Sequence, residues 1–235
     1  MSFRQRIHFF LVHTLGSSNQ EAKEIISSGA LSLNGKVIFD NTVLGIYDEV
    51  IYKGEVIHPT KQFVYYAYHK PIGIECSMRK DVKDTLGSVL PEALQTLGYC
   101  GRLDKASEGL MLFTNDGNAI RRLTKPGKSI WKRYEVKLEK PVDEALLKLF
   151  ETGTLVEGKM SLPARVKILG SHQLAIFLQE GRNKQIRRMC FTGGNYVCSL
   201  KRTNIGTIQL GQLKPLEFRT LTQEEMEFIR NKGGV

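Results

Sequence analysis

Long apolar runs are missing from this chain. Stretches such as Phe9-Phe10-Leu11-Val12 and Leu110-Met111-Leu112-Phe113 stop after four residues, against the ~20 that a membrane helix needs and the ~7–15 of a secretory signal. A cytoplasmic protein with no membrane partner is the expectation. Cysteine is equally sparse: Cys76, Cys100, Cys190 and Cys198 lie 24, 90 and 8 residues apart, forming neither a Cys-x-x-Cys zinc half-site nor a disulfide-dense scaffold. Buried thiols in a reducing compartment fit best. Histidines 8, 13, 58, 69 and 172 are scattered, carboxylates do not cluster, and no phosphate-cradling glycine loop is present. No metal site and no nucleotide-hydrolysing site is therefore expected. No internal repeat or low-complexity tract occurs.

What the chain does have is positive charge. Its 235 residues carry 34 Lys and Arg against 24 Asp and Glu, a net +10, which attracts polyanions and puts nucleic acid first among partner classes. The charge is uneven. Residues 1–58 hold five basic side chains and six acidic ones, a net −1, so the remaining 177 residues carry 29 against 18. Two basic stripes stand out: 121–140 has eight cations against Glu135 and Glu139, and 180–202 has six against Glu180. Each stripe reads either as a solvated surface or as a phosphate grip.

Local patterns divide the chain into two domains, 1–58 and 62–235. In the first, Ile7, Phe10, Leu11 and Leu15 recur at helical spacing, and Ser18 with Glu21 forms a capping box for a second helix ending at Gly29. Leu31 to Leu33, Asn34-Gly35 and Lys36 to Ile38 then predict a hairpin, followed by a strand at Val50 to Tyr52. In the second, strand signals at 63–68, 110–114, 134–138, 165–169, 174–178 and 196–198 mix irregularly with helix signals at 91–94, 142–150, 185–190 and 223–230. Ala145, Leu146 and Leu149 are expected to face inward. The fold class is α+β: a helix-helix-hairpin module, then a mixed, largely antiparallel sheet with flanking helices and a central cleft.

The centre of the chain reads GRLDKASEGLMLFTNDG, Gly101 to Gly117. A loop with Arg102 and Asp104 precedes a turn at Ser107-Glu108-Gly109, an apolar strand and a second turn at Asn115-Asp116-Gly117. An acid ahead of a buried strand can project into a cleft, and an Asp in such a loop equally serves as a turn or cap residue. Taken alone, Tyr134 and Leu200 also fit a core.

This segment resembles the active-site motif GRLDxxSxGLLLxTNDG of the RsuA-like pseudouridine synthases. Lys132-Arg133-Tyr134 is similar to that family's K-x-Y element, Glu180-Gly181-Arg182-Asn183-Lys184-Gln185-Ile186-Arg187-Arg188-Met189 to its EGxxxQ(V/I)RRM element, and Leu200 to Gly206 to its LxRxxIG segment. Residues 18–35 resemble the S-four-type RNA-binding domain, with Asn19 where an arginine is usual. The resemblance implies isomerisation of uridine to pseudouridine in structured RNA without a cofactor; it favours ribosomal RNA, with transfer RNA a possible substrate, and a monomer is the default expectation. Asp104, Tyr134 and Arg187 would be catalytic: the carboxylate, an aromatic platform, and the guanidinium pairing with Asp104 so that a desolvated acid stays charged. Leu200 would pack against the base and Arg102 would fill the space it vacates. Lys132, Arg133, Arg182, Lys184, Arg188, Lys201 and Arg202, with Arg121, Arg122, Lys125 and Lys128, would hold phosphates around a nucleotide turned out of its stack. The alternative is a non-catalytic RNA-binding or ribosome-assembly factor of the same fold.

Overall fold

The computed structural model describes residues 6–45, 48–59, 62–124 and 130–231. Lys125 and Lys128 lie outside them. By its contacts the chain divides into two units, Met1–Phe63 and Val64–Val235.

The first unit opens with α1 (Ile7–Thr14) and α2 (Asn19–Ser27). Ser18 starts α2 by a reciprocal cap: its hydroxyl accepts the Glu21 N–H, and its own N–H donates to the Glu21 carboxylate at 2.7 Å. Strands β1 (Leu31–Leu33) and β2 (Lys36–Ile38) follow, joined through Asn34 and Gly35, both at positive φ. A two-residue turn needs that conformation to match strand twist, and Asn and Gly reach it most cheaply. The Asn34 side chain also accepts the Glu49 N–H and donates to Asp48, tying the turn to the entry of β3 (Val50–Tyr52). A further strand, β4 (Glu55–His58), was not foreseen; it completes a four-stranded sheet in the order β2-β1-β3-β4. Ile7, Leu11, Ala22, Ile26, Leu31 and Val50 form this unit's core.

The second unit runs β5 (Tyr65–Lys70), α3 (Leu86–Val89), α4 (Glu92–Gln95), β6 (Gly98–Tyr99), β7 (Glu108–Thr114), α5 (Gly117–Thr124), β8 (Lys132–Leu138), α6 (Glu144–Thr152), β9 (Leu155–Val156), β10 (Lys159–Met160), β11 (Arg165–Gly170), β12 (Gln173–Leu178), α7 (Gln185–Thr192), β13 (Val197–Ile205), β14 (Ile208–Gln209), β15 (Phe218–Thr220) and α8 (Gln223–Asn231). Nine strands make one sheet, with the main order β11-β12-β8-β13-β7-β5-β15, while β14 pairs with β13 and β6 with β7. Every pairing is antiparallel except β13 with β7. The fold is α+β, with eight helices among the described residues and a largely antiparallel sheet.

Two sequence expectations change here. Glu108 and Gly109 are not a turn; they begin β7 and pair with Lys201 and Arg202. Gly109 sits at φ +116°, and a Cβ there would lie 2.3 Å from the Arg202 carbonyl oxygen, so only glycine admits that pairing. In α6, Leu146 and Phe150 are buried while Ala145 is exposed, because the inward stripe follows the i, i+4 spacing. Helix α5 was also missed: Asp116 caps it by accepting the Asn118 and Ala119 N–H groups.

The sheet is covered unequally. Along β5 and β7 alternate residues face two cores: Tyr68, Met111 and Phe113 pack into one, and Ala67, Leu110 and Leu112 into the other with α5 and α8. On β8 and β12, Tyr134, Val136, Leu174 and Ile176 pack beneath α6 and α7, and none of this unit's described helices joins a core cluster on their other face.

Candidate active site

The loop from Gly101 to Ser107 connects β6 to β7 and is pinned along its length. Leu103 donates its N–H to the Cys76 sulfur and accepts the Cys76 thiol at 3.1 Å; Lys105 accepts the Gly73 N–H at 2.7 Å; Ser107 donates back to the Asp104 carbonyl at 3.0 Å. Leu103 is thereby buried and Asp104 left half-buried at the mouth of a cleft of about 170 Å³. The floor comes from three adjacent strands. Lys132 and Tyr134 of β8, Leu178 of β12, and Leu200 and Arg202 of β13 all line it. In β8 and in β13 the lining residues are two positions apart, as a shared face requires. Arg202 and Tyr134 are direct cross-strand neighbours.

Among the described residues the Asp104 carboxylate has no hydrogen-bond donor and no ion pair, and it is the one acid in the cleft lining. Two cations of the strand floor, Arg202 and Lys132, line the same cleft without being neutralised by a described residue. Arg202, only 2% exposed, donates from Nε to the Leu110 carbonyl at 2.7 Å and from Nη1 to the Arg102 carbonyl at 3.4 Å, while its Nη2 is buried with no partner. Lys132 has no hydrogen-bond partner among the described residues, and burial, with a smaller contribution from Arg202, pushes its pKa down to about 8. Arg102 is exposed at the rim with its guanidinium unbonded to described residues. Behind the loop lies a residue the sequence reading missed. Lys70 is fully buried and donates to the Pro71 and Ile74 carbonyls at 2.8 and 2.6 Å; burial pushes its pKa down, opposed by Cys76, Asp104 and Glu108. A lysine directly before proline at a strand end was the available signal.

Several expected site residues are placed differently. Arg187 does not pair with Asp104. It donates from Nη1 to the Val197 carbonyl at 3.0 Å and from Nη2 to the Ala106 carbonyl at 2.7 Å, so its terminal nitrogens are taken up in fastening α7 to the Asp104 loop and β13. Arg202 lies in the floor, not on a phosphate-facing rim. Arg182 is bonded to Glu180 and to the Val156, Lys159 and Met160 carbonyls; with Gln185 donating to Glu180, it shapes the turn that launches α7. Arg188 pairs with Glu157, and Arg122 with buried Asp116. Arg133 and Lys201 sit between cleft-facing neighbours on their strands, and alternation turns them to the opposite face. Lys184 lies exposed at the cleft edge in a left-handed conformation.

No group of three His, Cys, Asp or Glu side chains among the described residues could hold a metal ion, and no described helix is long and apolar enough to cross a membrane. The fold and cleft define an α+β protein with one carboxylate, unpartnered among the described residues, in a cleft that Arg202 and Lys132 also line. The comparisons give that class its family. RNA pseudouridylate synthase, as a family, matches residues 64–191. A ribosomal small subunit pseudouridine synthase A of Pseudomonas aeruginosa is 34% identical over 94% of this chain and 98% of its own length. An uncharacterized RNA pseudouridine synthase of Aquifex aeolicus is 34% identical over 96% of each. A solved structure described as a pseudouridylate synthase superposes with a TM-score of 0.67 at 31% identity, over 95% of this chain and 99% of that one. The chain belongs to the RNA pseudouridine synthase family, and it is an enzyme of RNA modification.

Proposed function

We propose that the chain converts a specific uridine of ribosomal RNA to pseudouridine with Asp104 as its catalytic carboxylate. Ribosomal RNA is favoured because the Pseudomonas aeruginosa relative is a ribosomal small subunit enzyme, matched over nearly its whole length. The reaction breaks the N1–C1′ bond, turns the base, joins C5 to C1′, releases the C5 proton and leaves a proton on N1; nothing is oxidised or reduced. It asks the protein for a charged carboxylate, a partly apolar recess and an aromatic surface. The observation that carries the reading is the Asp104 carboxylate, free of partners among the described residues, in a cleft lined by Tyr134, Leu200, Lys132 and Arg202.

Arg202 and Lys132 line the same cleft as the carboxylate and present positive charge to the bound base there. Arg187 acts at one remove, as a positioning residue that holds the Asp104 loop. Tyr134 stacks on the uracil and Leu200 packs against it. Turning the nucleotide out of its stack costs a few kcal/mol, offset by contacts away from the reacting atoms; Lys184 at the rim meets phosphate, and Arg102 fills the vacated place. The unit preceding residue 59 is an S-four-type RNA-binding domain that orients the substrate, its net charge being too low to hold RNA by phosphate contacts alone.

The test is release of tritium to water from ribosomal RNA labelled at uridine C5. Asp104→Asn keeps its affinity for the RNA and loses at least about 10³-fold in rate. Equal release by the two proteins would overturn the assignment.

A further inference from the structure

The face of β8, β11 and β12 turned away from the cleft has a definite chemistry. Arg165, Phe177 and Arg133 are successive cross-strand neighbours, forming one row across three strands. Trp131 lies beside that row, with the Arg165 guanidinium 4.6 Å from its ring centroid. Together with Asn204 these residues line a hollow of about 360 Å³. One strand repeat away, roughly 7 Å at ~3.4 Å per residue, stand Lys167 and Lys201, with Lys137 beyond them. Among the described residues Arg165, Lys167, Lys137 and Lys201 form no ion pair; the acid in these rows, Glu135, stands cross-strand from Lys201 and is paired to Arg133 at 2.9 Å. This face thus joins two exposed or half-exposed aromatic rings to four unneutralised cations.

We infer that this face is a second RNA-binding surface, distinct from the cleft, for an unpaired stretch of RNA. One base stacks in the hollow against Phe177 and the Trp131–Arg165 pair, and the lysines neutralise the flanking phosphates. An uncovered sheet with aromatic rings is a platform on which single-stranded bases stack irrespective of sequence, while a positive surround tracks the backbone. Charge complementarity selects the occupant: a face with four free cations repels a basic partner and suits a polyanion. The inference rests on RNA being the substrate class, and its readout is independent of turnover.

Trp131 is the only tryptophan of the 235 residues, so its fluorescence reports this face alone. The full chain is titrated with a ten-nucleotide oligouridine at low and moderate salt. The expected result is saturable quenching that weakens as salt rises. In the double variant Lys137→Gln/Lys167→Gln, both substitutions lying at exposed positions, the midpoint moves at least about fivefold and the salt slope falls by roughly 1–2. Phe177→Ala weakens quenching about tenfold, whereas Arg102→Ala, at the cleft rim, leaves it unchanged. Absence of quenching, or quenching that follows Arg102→Ala and ignores the double variant, overturns the inference even if tritium release from ribosomal RNA proceeds normally.

Discussion

On the cleft side of β8 and β13 Arg202 is buried and Lys132 half-buried, neither with an acidic partner among the described residues; on the opposite side Arg133 and Lys201 are half-exposed, Arg133 being paired with Glu135 and bonded to Thr203. The two sets alternate along the same few residues. What separates them is the side of a pleated sheet on which each falls and whether helices cover that side. A buried cation with no partner is costly to keep, and it is where a developing or bound negative charge gains most. An exposed cation is screened by water and salt and suits long-range attraction of a polyanion.

The largest effect comes from breaking the strand pairing that brings the two faces together. Gly109→Ala places a Cβ against the Arg202 backbone at positive φ and is expected to cost at least about 3 kcal/mol. Gly101→Ala, at φ +75° but with nothing within 4 Å of its added atom, costs about 1 kcal/mol. Urea unfolding of both variants measures the difference, and equal losses would mean that contact with Arg202 plays no part.

Next comes the contrast between the two arginines. Arg202→Met leaves the Leu110 carbonyl without its donor, costing about 1–3 kcal/mol, and removes a cation from the cleft, lowering the rate of tritium release about 10²-fold. Arg133→Gln on the other face stays within about 0.5 kcal/mol in stability. Similar rates for the two variants would remove Arg202 from the electrostatics of the site.

Lys132 sharpens the comparison through pH. Its folded pKa of about 8 lies below its ordinary 10.5, so its charge is present below about pH 8 and lost above it. RNA binding should therefore show a salt slope shallower by roughly 0.7–0.9 at pH 9.5 than at pH 6.5, and Lys132→Met should abolish that change. For stability the sign is opposite: between about pH 8 and 10.5 the folded state binds fewer protons than the unfolded one, so this residue's contribution rises with pH across that window. The smallest effect is at the Arg188–Glu157 pair, both members nearly half exposed; Arg188→Ala should shift the urea midpoint by less than the equivalent of about 0.5 kcal/mol.

Elements whose causes lie within a few residues were readable from the sequence. The Ser18–Glu21 cap and the Asn34-Gly35 turn both formed where local chemistry calls for them. Helix α5 escaped because Asn115-Asp116-Gly117 looks like a turn, and Asp116 acts as a cap only once the helix follows it. Glu108-Gly109 was misread for a longer-range reason: its partner strand lies about 90 residues downstream, and nothing beside Gly109 announces it. In the site, Asp104, Tyr134, Leu200, Lys132 and Arg202 all reach one cleft. The basic residues divide: Lys132, Lys184 and Arg202 line the cleft while Arg133 and Lys201 do not, since a strand deals its side chains alternately to two faces.

Composition and element pattern pointed to an α+β fold and a polyanionic partner, and it was the resemblance of the ordered motifs to a known family that implied RNA modification and singled out Asp104. Which basic side chains line the cleft with that carboxylate, and which fall on the other side of the sheet, was decided only when β7, β8 and β13 came together. Burial and charge pairing depend on residues distant in the chain, and only the packed sheet brings those into contact.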